Sequence, residues 1–327
     1  MSVWMKSLIG VLLFVCLAGC VSSAMYRERV ETRYPAIGER IETGQARQHV
    51  IRQGEGQPVL LIHGASANAR EYLITLAPEL KNAPVELLMF DRTGHGYSER
   101  VADGNALGNQ AEVIAEAYTK LSDDPGVVVG HSFGGAVALR YALDYPSRVK
   151  ALVLIAPVTH DWGDGGVTWY NQLAGLPVLG HGFSQLAPLV GPEAARSSLK
   201  SLFSPAPVPE GYADKMGVDL LFRPDVFRNN ARDVLTLKAE LAEQEKRYSE
   251  LNIPIIVFSG SYDTVLKPKL HAAKLRRDVP DHVVLVKLDD EGHMPHHRKA
   301  ELIAQTISRL AKGESVQETD FEKPNGP

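Results

Sequence analysis

Cysteine is nearly missing from this chain: its 327 residues hold two, Cys16 and Cys20, both close to the N-terminus. No disulfide framework can therefore organise the body of the fold, and a chain this long can bury enough core without one. Charge of one sign is missing as well. The 35 Lys and Arg face 39 Asp and Glu, a net charge of −4, and a pI of 6.3 lacks the basic footprint of a nucleic-acid binder. There is no P-loop, and Gly94-His95-Gly96 lacks the third glycine and the following helix of a dinucleotide fingerprint. No zinc-type spacing of His and Cys occurs either; His296 and His297 read as exposed histidines at a helix start. No cofactor, no metal and no obligate protein partner is expected. What remains is ordinary globular composition, 44% hydrophobic and 23% charged.

The one long apolar run, Leu8 to Leu17, follows Lys6 and is too short to span a bilayer comfortably. It ends in Leu17-Ala18-Gly19-Cys20, which resembles the lipobox of bacterial lipoproteins. That resemblance implies cleavage before Cys20, a lipid on its thiol, and a place in the cell envelope. Val21 is not the aspartate that resembles an inner-membrane retention signal, which favours the outer membrane, facing the periplasm. An ordinary secretory peptide, or an uncleaved anchor reaching Met25, are the alternatives. Loss of residues 1–19 removes Lys6 and leaves 34 basic against 39 acidic residues, a net charge of −5.

Residues 20–37, rich in charge at Arg27, Glu28, Arg29, Glu31 and Arg33, read as a tether. An antiparallel hairpin is expected on either side of Gly44. Then short apolar runs without alternation appear at 59–62, 85–90, 127–129, 151–156, 255–258 and 283–288, the pattern of strands buried on both faces of a parallel sheet. Helical spacing of apolar residues lies between them, at 68–81, 109–122, 133–145, 232–250 and 297–312. Repeated βα units predict a doubly wound, mostly parallel α/β sheet, whose ligands bind beyond the carboxyl ends of its strands. The core is assigned to 38–157 and 229–312. Residues 158–228, rich in Gly and Pro with no clear strand, predict a helical cap inserted after the sixth strand. Residues 313–327 lack periodicity and are expected to be disordered.

The sharpest motif is Val127-Val128-Val129-Gly130-His131-Ser132-Phe133-Gly134-Gly135. It is G-x-S-x-G in its required setting, between a buried strand and an amphipathic helix, where a tight turn lifts the serine hydroxyl above the sheet. Leu61-Ile62-His63-Gly64-Ala65 and Asp91-Arg92-Thr93-Gly94-His95-Gly96-Tyr97-Ser98 follow the two preceding parallel strands. Asp263 and His293 follow the last two.

On these residues the chain resembles the serine-nucleophile branch of the α/β-hydrolase superfamily, over residues 38–312. The resemblance implies an α/β-hydrolase fold with Ser132 as nucleophile, His293 as its base and Asp263 as the acid that holds the histidine. It also implies an oxyanion hole from the backbone N–H groups of Ala65 and Phe133, with Gly130, His131 and Gly134 shaping the elbow. Asp161 and Asp164 stand where some relatives keep the acid; Asp289 and Asp290 are near His293 in sequence only. His63, His95 and His131 read as structural or pocket-lining. Serine at the elbow counts against epoxide hydrolase and haloalkane dehalogenase chemistry, which uses aspartate there. The expected activity is hydrolysis of small-molecule carboxylic esters with small to medium apolar acyl groups, through an acyl-enzyme. A carbon–carbon bond hydrolase, thioesterase, cofactor-free haloperoxidase or non-catalytic envelope scaffold are the alternatives. Apolar cap residues such as Trp169, Leu173, Leu189 and Phe183 are expected to roof a pocket over Ser132 or to pack the cap onto the core.

Overall fold

The computed structural model describes residues 3–163 and 167–321. Eight strands form one sheet: β1 (Glu39–Glu42), β2 (Arg47–Gln53), β3 (Gln57–Ile62), β4 (Val85–Phe90), β5 (Gly126–His131), β6 (Val149–Ile155), β7 (Ile255–Gly260) and β8 (Val283–Leu288). Their spatial order is β1-β2-β4-β3-β5-β6-β7-β8. The β1–β2 and β2–β4 pairs are antiparallel and every later pair is parallel. Strands β3, β5, β6 and β7 are buried almost throughout, which is why they read as unbroken apolar runs.

The helices are α1 (Val3–Arg33), α2 (Arg70–Leu73), α3 (Leu76–Leu80), α4 (Leu107–Thr119), α5 (Phe133–Asp144), α6 (Trp169–Gly175), α7 (Leu179–Ser184), α8 (Ala187–Phe203), α9 (Tyr212–Met216), α10 (Pro224–Gln244), α11 (Ala272–Asp278) and α12 (Ala300–Ala311). One face of the sheet packs α4, α5 and α11 with Leu237 and Leu241 of α10. The other packs α2, α3 and α12. Helices α6–α9 and the start of α10 form the cap over the carboxyl edge of the sheet. Its core joins Phe203, Tyr212, Phe222 and Phe227 to Met294, with Tyr97 packed against them. Helix α10 runs unbroken across residue 228, where the sequence reading ends the cap.

Two segments depart from that reading. The stretch assigned as a tether is the second half of α1, and Tyr26, Val30 and Tyr34 bury into the cap. Spaced by four, they make a narrow helical stripe, and the charges between them pair across it: Arg27 with Asp225 at 2.5 Å, Glu31 with Arg223 at 2.8 Å. The described part of the expected disordered tail is also placed. Val316 is buried, Phe321 sets its ring edge-on to Phe258, and Glu318 pairs with Arg276 at 3.1 Å; residues 322–327 lie outside the described residues. Among the described residues no helix is long and apolar enough to cross a membrane.

Candidate active site

Ser132 is the residue between β5 and α5. Its φ of 52° and ψ of −117° hold a non-glycine residue in a region that costs on the order of 1 to 3 kcal/mol. Backbone bonds fix it there: its N–H donates to Ile155 at 3.0 Å, and its carbonyl accepts from Gly135 at 2.9 Å and Val158 at 3.2 Å. Glycine is required on both sides. A Cβ at Gly134 would run into the Ile62 carbonyl, and one at Gly130 into the Gly134 carbonyl. This close approach of β3, β5 and α5 leaves the serine side chain nowhere to go but out.

His293 and Asp263 arrive from the loops after β8 and β7. His293 Nε2 lies 3.1 Å from Ser132 Oγ, and its Nδ1 lies 2.8 Å from Asp263 Oδ2. An ionised carboxylate only accepts, so Nδ1 carries the hydrogen and Nε2 is left to accept from the hydroxyl. The second Asp263 oxygen accepts the N–H groups of Val265 and Leu266 at 2.9 and 2.8 Å, which fixes its rotamer. The rival acids point elsewhere. Asp161 accepts from Gly163 and faces Lys238, Asp289 accepts from Ser261, and Asp290 pairs with Lys299 at 3.0 Å. Asp164 lies outside the described residues.

The His63-Gly64-Ala65 loop abuts Ser132: a Cβ at Gly64 would sit 3.2 Å from Ser132 Cβ. Phe133 opens α5, so its N–H has no partner one turn earlier. The Asp91–Ser98 turn is scaffolding. Asp91 accepts from Ala69, Tyr97 and His49 at 2.7–2.8 Å, and a Cβ on Gly96 would collide with its carboxylate. His63 accepts from the Arg92 N–H at 2.9 Å and donates to Gly64 at 2.8 Å; burial, with the Arg92 charge, pushes its pKa down to about 4. Burial likewise drives His95 and His131 well below the usual histidine range. His131 donates from Nε2 to the His293 carbonyl at 3.0 Å and so braces the loop that carries His293.

Three residues escape the sequence reading: Arg92, Asp233 and Glu71. Arg92 is fully buried, bonded to Asp233 and Gln110 at 2.8 and 2.9 Å, with its guanidinium 4.1 Å from the centroid of the Phe133 ring. Its identity is plain in the motif, but its partner is 141 residues away. Glu71 is buried beside His296 and His297, which precede α12. His296 and His297 donate to its Oε1 at 3.0 and 2.7 Å, and Tyr212 to its Oε2 at 2.8 Å. The expectation of exposed histidines is thereby corrected: His296 is fully buried, because Glu71 satisfies a polar group that burial would otherwise penalise. The donor atoms of Glu71, His296 and His297 lie within 4.8 Å of one another, close enough to hold a metal ion; as placed, they bond to each other.

Burial alone would raise the Glu71 pKa, yet the hydrogen bonds and charge of the two histidines hold it well below the ordinary 4.5. An unfolded chain therefore takes up this proton first as pH falls. The stability Glu71 contributes is full above about 4.5 and is lost as pH drops through its folded value. Glu71→Gln is expected to lower stability at pH 7 by about 3 kcal/mol and to flatten the acid limb of a plot of urea midpoint against pH. An unchanged acid limb would show that another group carries it.

The comparisons with known proteins agree with this architecture. The model of the alpha/beta hydrolase fold family matches residues 57–300, and the chain belongs to that family. It is 39% identical over 128 residues to a 2-hydroxymuconate semialdehyde hydrolase of Pseudomonas putida, a stretch covering 38% of this chain and 44% of that one, so the match spans less than half of the relative. It is 26% identical over 258 residues to Lipase 3 of a Moraxella species, covering 73% and 72%. Among solved structures, an esterase from Exiguobacterium antarcticum superposes with a TM-score of 0.67 at 20% identity, covering 84% of this chain and 100% of that one.

Proposed function

We propose that the chain is a serine hydrolase that cleaves carboxylic esters through an acyl-enzyme. The observation that carries this reading is the hydrogen-bonded row of Ser132 Oγ, His293 and Asp263. His293 takes the hydroxyl proton as Oγ attacks the ester carbon, and returns it to the departing alkoxide. Asp263 holds the neutral tautomer beforehand and stabilises the imidazolium afterwards. The N–H groups of Ala65 and Phe133 receive the developing oxyanion, each contributing about 3 kcal/mol of transition-state stabilisation. Water, activated by the same histidine, then releases the acid and regenerates Ser132.

Ala65, Trp162 and Leu266, half-buried at the carboxyl ends of β3, β6 and β7, pack against the cluster that holds Phe133 and supply an apolar wall for an acyl chain. Each buried methylene contributes about 0.8 kcal/mol. Catalytic efficiency on p-nitrophenyl esters is therefore expected to rise from acetyl to butyryl or hexanoyl and to stay low for charged acyl groups. A maximum at acetyl, or on dicarboxylate esters, would remove the apolar wall from the reading. The similarity to a 2-hydroxymuconate semialdehyde hydrolase favours carbon–carbon bond hydrolysis as the second reading. Turnover of a vinylogous 1,5-diketone in preference to every ester would establish it.

The lipobox-like Leu17-Ala18-Gly19-Cys20 supports lipid anchoring of Cys20 in the cell envelope, and the Cys20 side chain is exposed. The mature N-terminus is expected to be a lipid-modified Cys20 by mass spectrometry. Start at any other residue would rule this anchor out.

A further inference from the structure

The cap carries a stretch without formal charge. From residue 165 to residue 192 there is no Asp, Glu, Lys or Arg, in a chain that is 23% charged. The expectation that its apolar side chains roof the pocket or pack the cap holds for few of them. Trp169, Val178, Leu179, Leu186, Leu189 and Val190 are each 52% to 80% exposed. Single exposed leucines are ordinary, whereas a contiguous exposed apolar group marks a binding surface; Asp225 and Arg228 of α10 stand at its edge, beside His181 and Gln185. Contiguity follows from the packing: α6 lies on α7, with the Trp169 ring edge-on to Phe183, and Leu186 and Leu189 follow on successive turns into α8.

Helix α1 reaches the cap beside this surface. Ser23 Oγ donates to the Gln185 carbonyl at 3.3 Å, in the link between α7 and α8, next to Leu186. Cys20 lies three residues before Ser23, about 4.5 Å further along the helix, and Val21 and Met25 are exposed there with it. A lipid on Cys20 would thus emerge at the edge of the uncharged surface.

We propose that the uncharged face of α6, α7 and the first turn of α8 lies on the lipid surface that Cys20 is anchored to. The proposal rests on the anchoring reading above. A bilayer fits the surface because a lipid interface needs no charge to set register and accepts tryptophan at its headgroup boundary. Few exposed polar side chains stand on it, among them Gln172 and His181, where a specific protein interface carries about one hydrogen bond per 100 to 200 Å². With two contacts instead of one flexible tether, the protein holds one orientation. The cap lies over the carboxyl edge of the sheet that carries Ser132, and the substrate class that this docking favours is esters that partition into lipid.

The test uses the mature chain as the cell makes it, mixed with neutral phosphatidylcholine vesicles containing doxyl-labelled lipid. Quenching of tryptophan emission is expected in the wild type, lost in Trp169→Phe, and reduced several-fold in the Leu179→Glu, Leu189→Glu double variant. That variant should turn over a long-chain ester embedded in vesicles about tenfold more slowly, with turnover of soluble p-nitrophenyl butyrate unchanged. Co-flotation with vesicles without quenching of Trp169 would overturn the docking and leave the anchor standing. An unlipidated chain whose Trp169 is still quenched would overturn the anchor and leave the docking standing. Unquenched Trp169 together with a dimer that the double variant abolishes would assign the surface to a second copy and overturn the proposal.

Discussion

Ser132→Ala is expected to lower ester turnover by about 10⁴ to 10⁶-fold and to abolish labelling by a fluorophosphonate probe. The elbow geometry tolerates alanine, since Ser132 is held by its backbone, so the variant loses the nucleophile and keeps the fold. His293→Ala should cost nearly as much, because without a base the hydroxyl stays protonated in attack. Asp263→Asn should cost somewhat less, on the order of 10⁴. The three act as one unit, and their effects will not add. Intact-protein mass after probe treatment reads the labelling, and single-turnover kinetics read the rate. Full labelling of the alanine variant would remove Ser132 from the chemistry, and greater damage from Asp161→Asn than from Asp263→Asn would move the acid to the β6 loop.

Asp233→Ala is expected to be the most destabilising single change in the core. Its carboxylate, fully buried on α10, accepts from Arg92 at 2.8 Å and from Arg100 at 2.6 Å. Burial pushes the Arg92 pKa down, and Asp233 opposes that. Removing the carboxylate leaves a buried guanidinium without a counter-charge, which costs about 3 to 5 kcal/mol. The effect should reach catalysis as well. The Arg92 guanidinium also faces the Gly64 carbonyl at 3.4 Å and the Phe133 ring, so the loops that bear the proposed oxyanion donors, Ala65 and Phe133, lean on it. A fall in kcat larger than the change in KM is expected, alongside a lower urea midpoint. A loss below 1 kcal/mol would mean that solvent reaches this pair in solution.

Strands and site were legible in the sequence for different reasons. The six parallel strands sit between two helical layers, and burial leaves apolar runs, interrupted only by Glu86 in β4 and the exposed Lys287 in β8. Ser132, Asp263 and His293 each follow such a run, so their convergence at one sheet edge was implied by order alone. Where the reading failed, the cause was local. One helix was expected over 68–81, but the chain breaks between α2 and α3 because the Pro78 ring cannot share a helix with the carbonyl of Ile74, four residues earlier. In α1 the charged residues hid the Tyr26, Val30, Tyr34 stripe. The Glu71–His296 and Arg92–Asp233 pairs join residues 225 and 141 apart, and no spacing along a single sequence announces such a meeting.

The unbroken course of α10 has a consequence for building chimaeras. Its first turns, with Phe227, belong to the cap core, while Leu237 and Leu241 belong to the sheet's helical layer. Asp233 lies between them and is the residue that neutralises Arg92. A graft that exchanges caps at residue 228 would cut a rigid rod in mid-span and leave its register to chance. Splicing beyond Leu241 instead would import a foreign residue opposite Arg92. The donor cap therefore has to bring an aspartate at that position, or the loops carrying Gly64 and Phe133 lose their brace along with the old specificity.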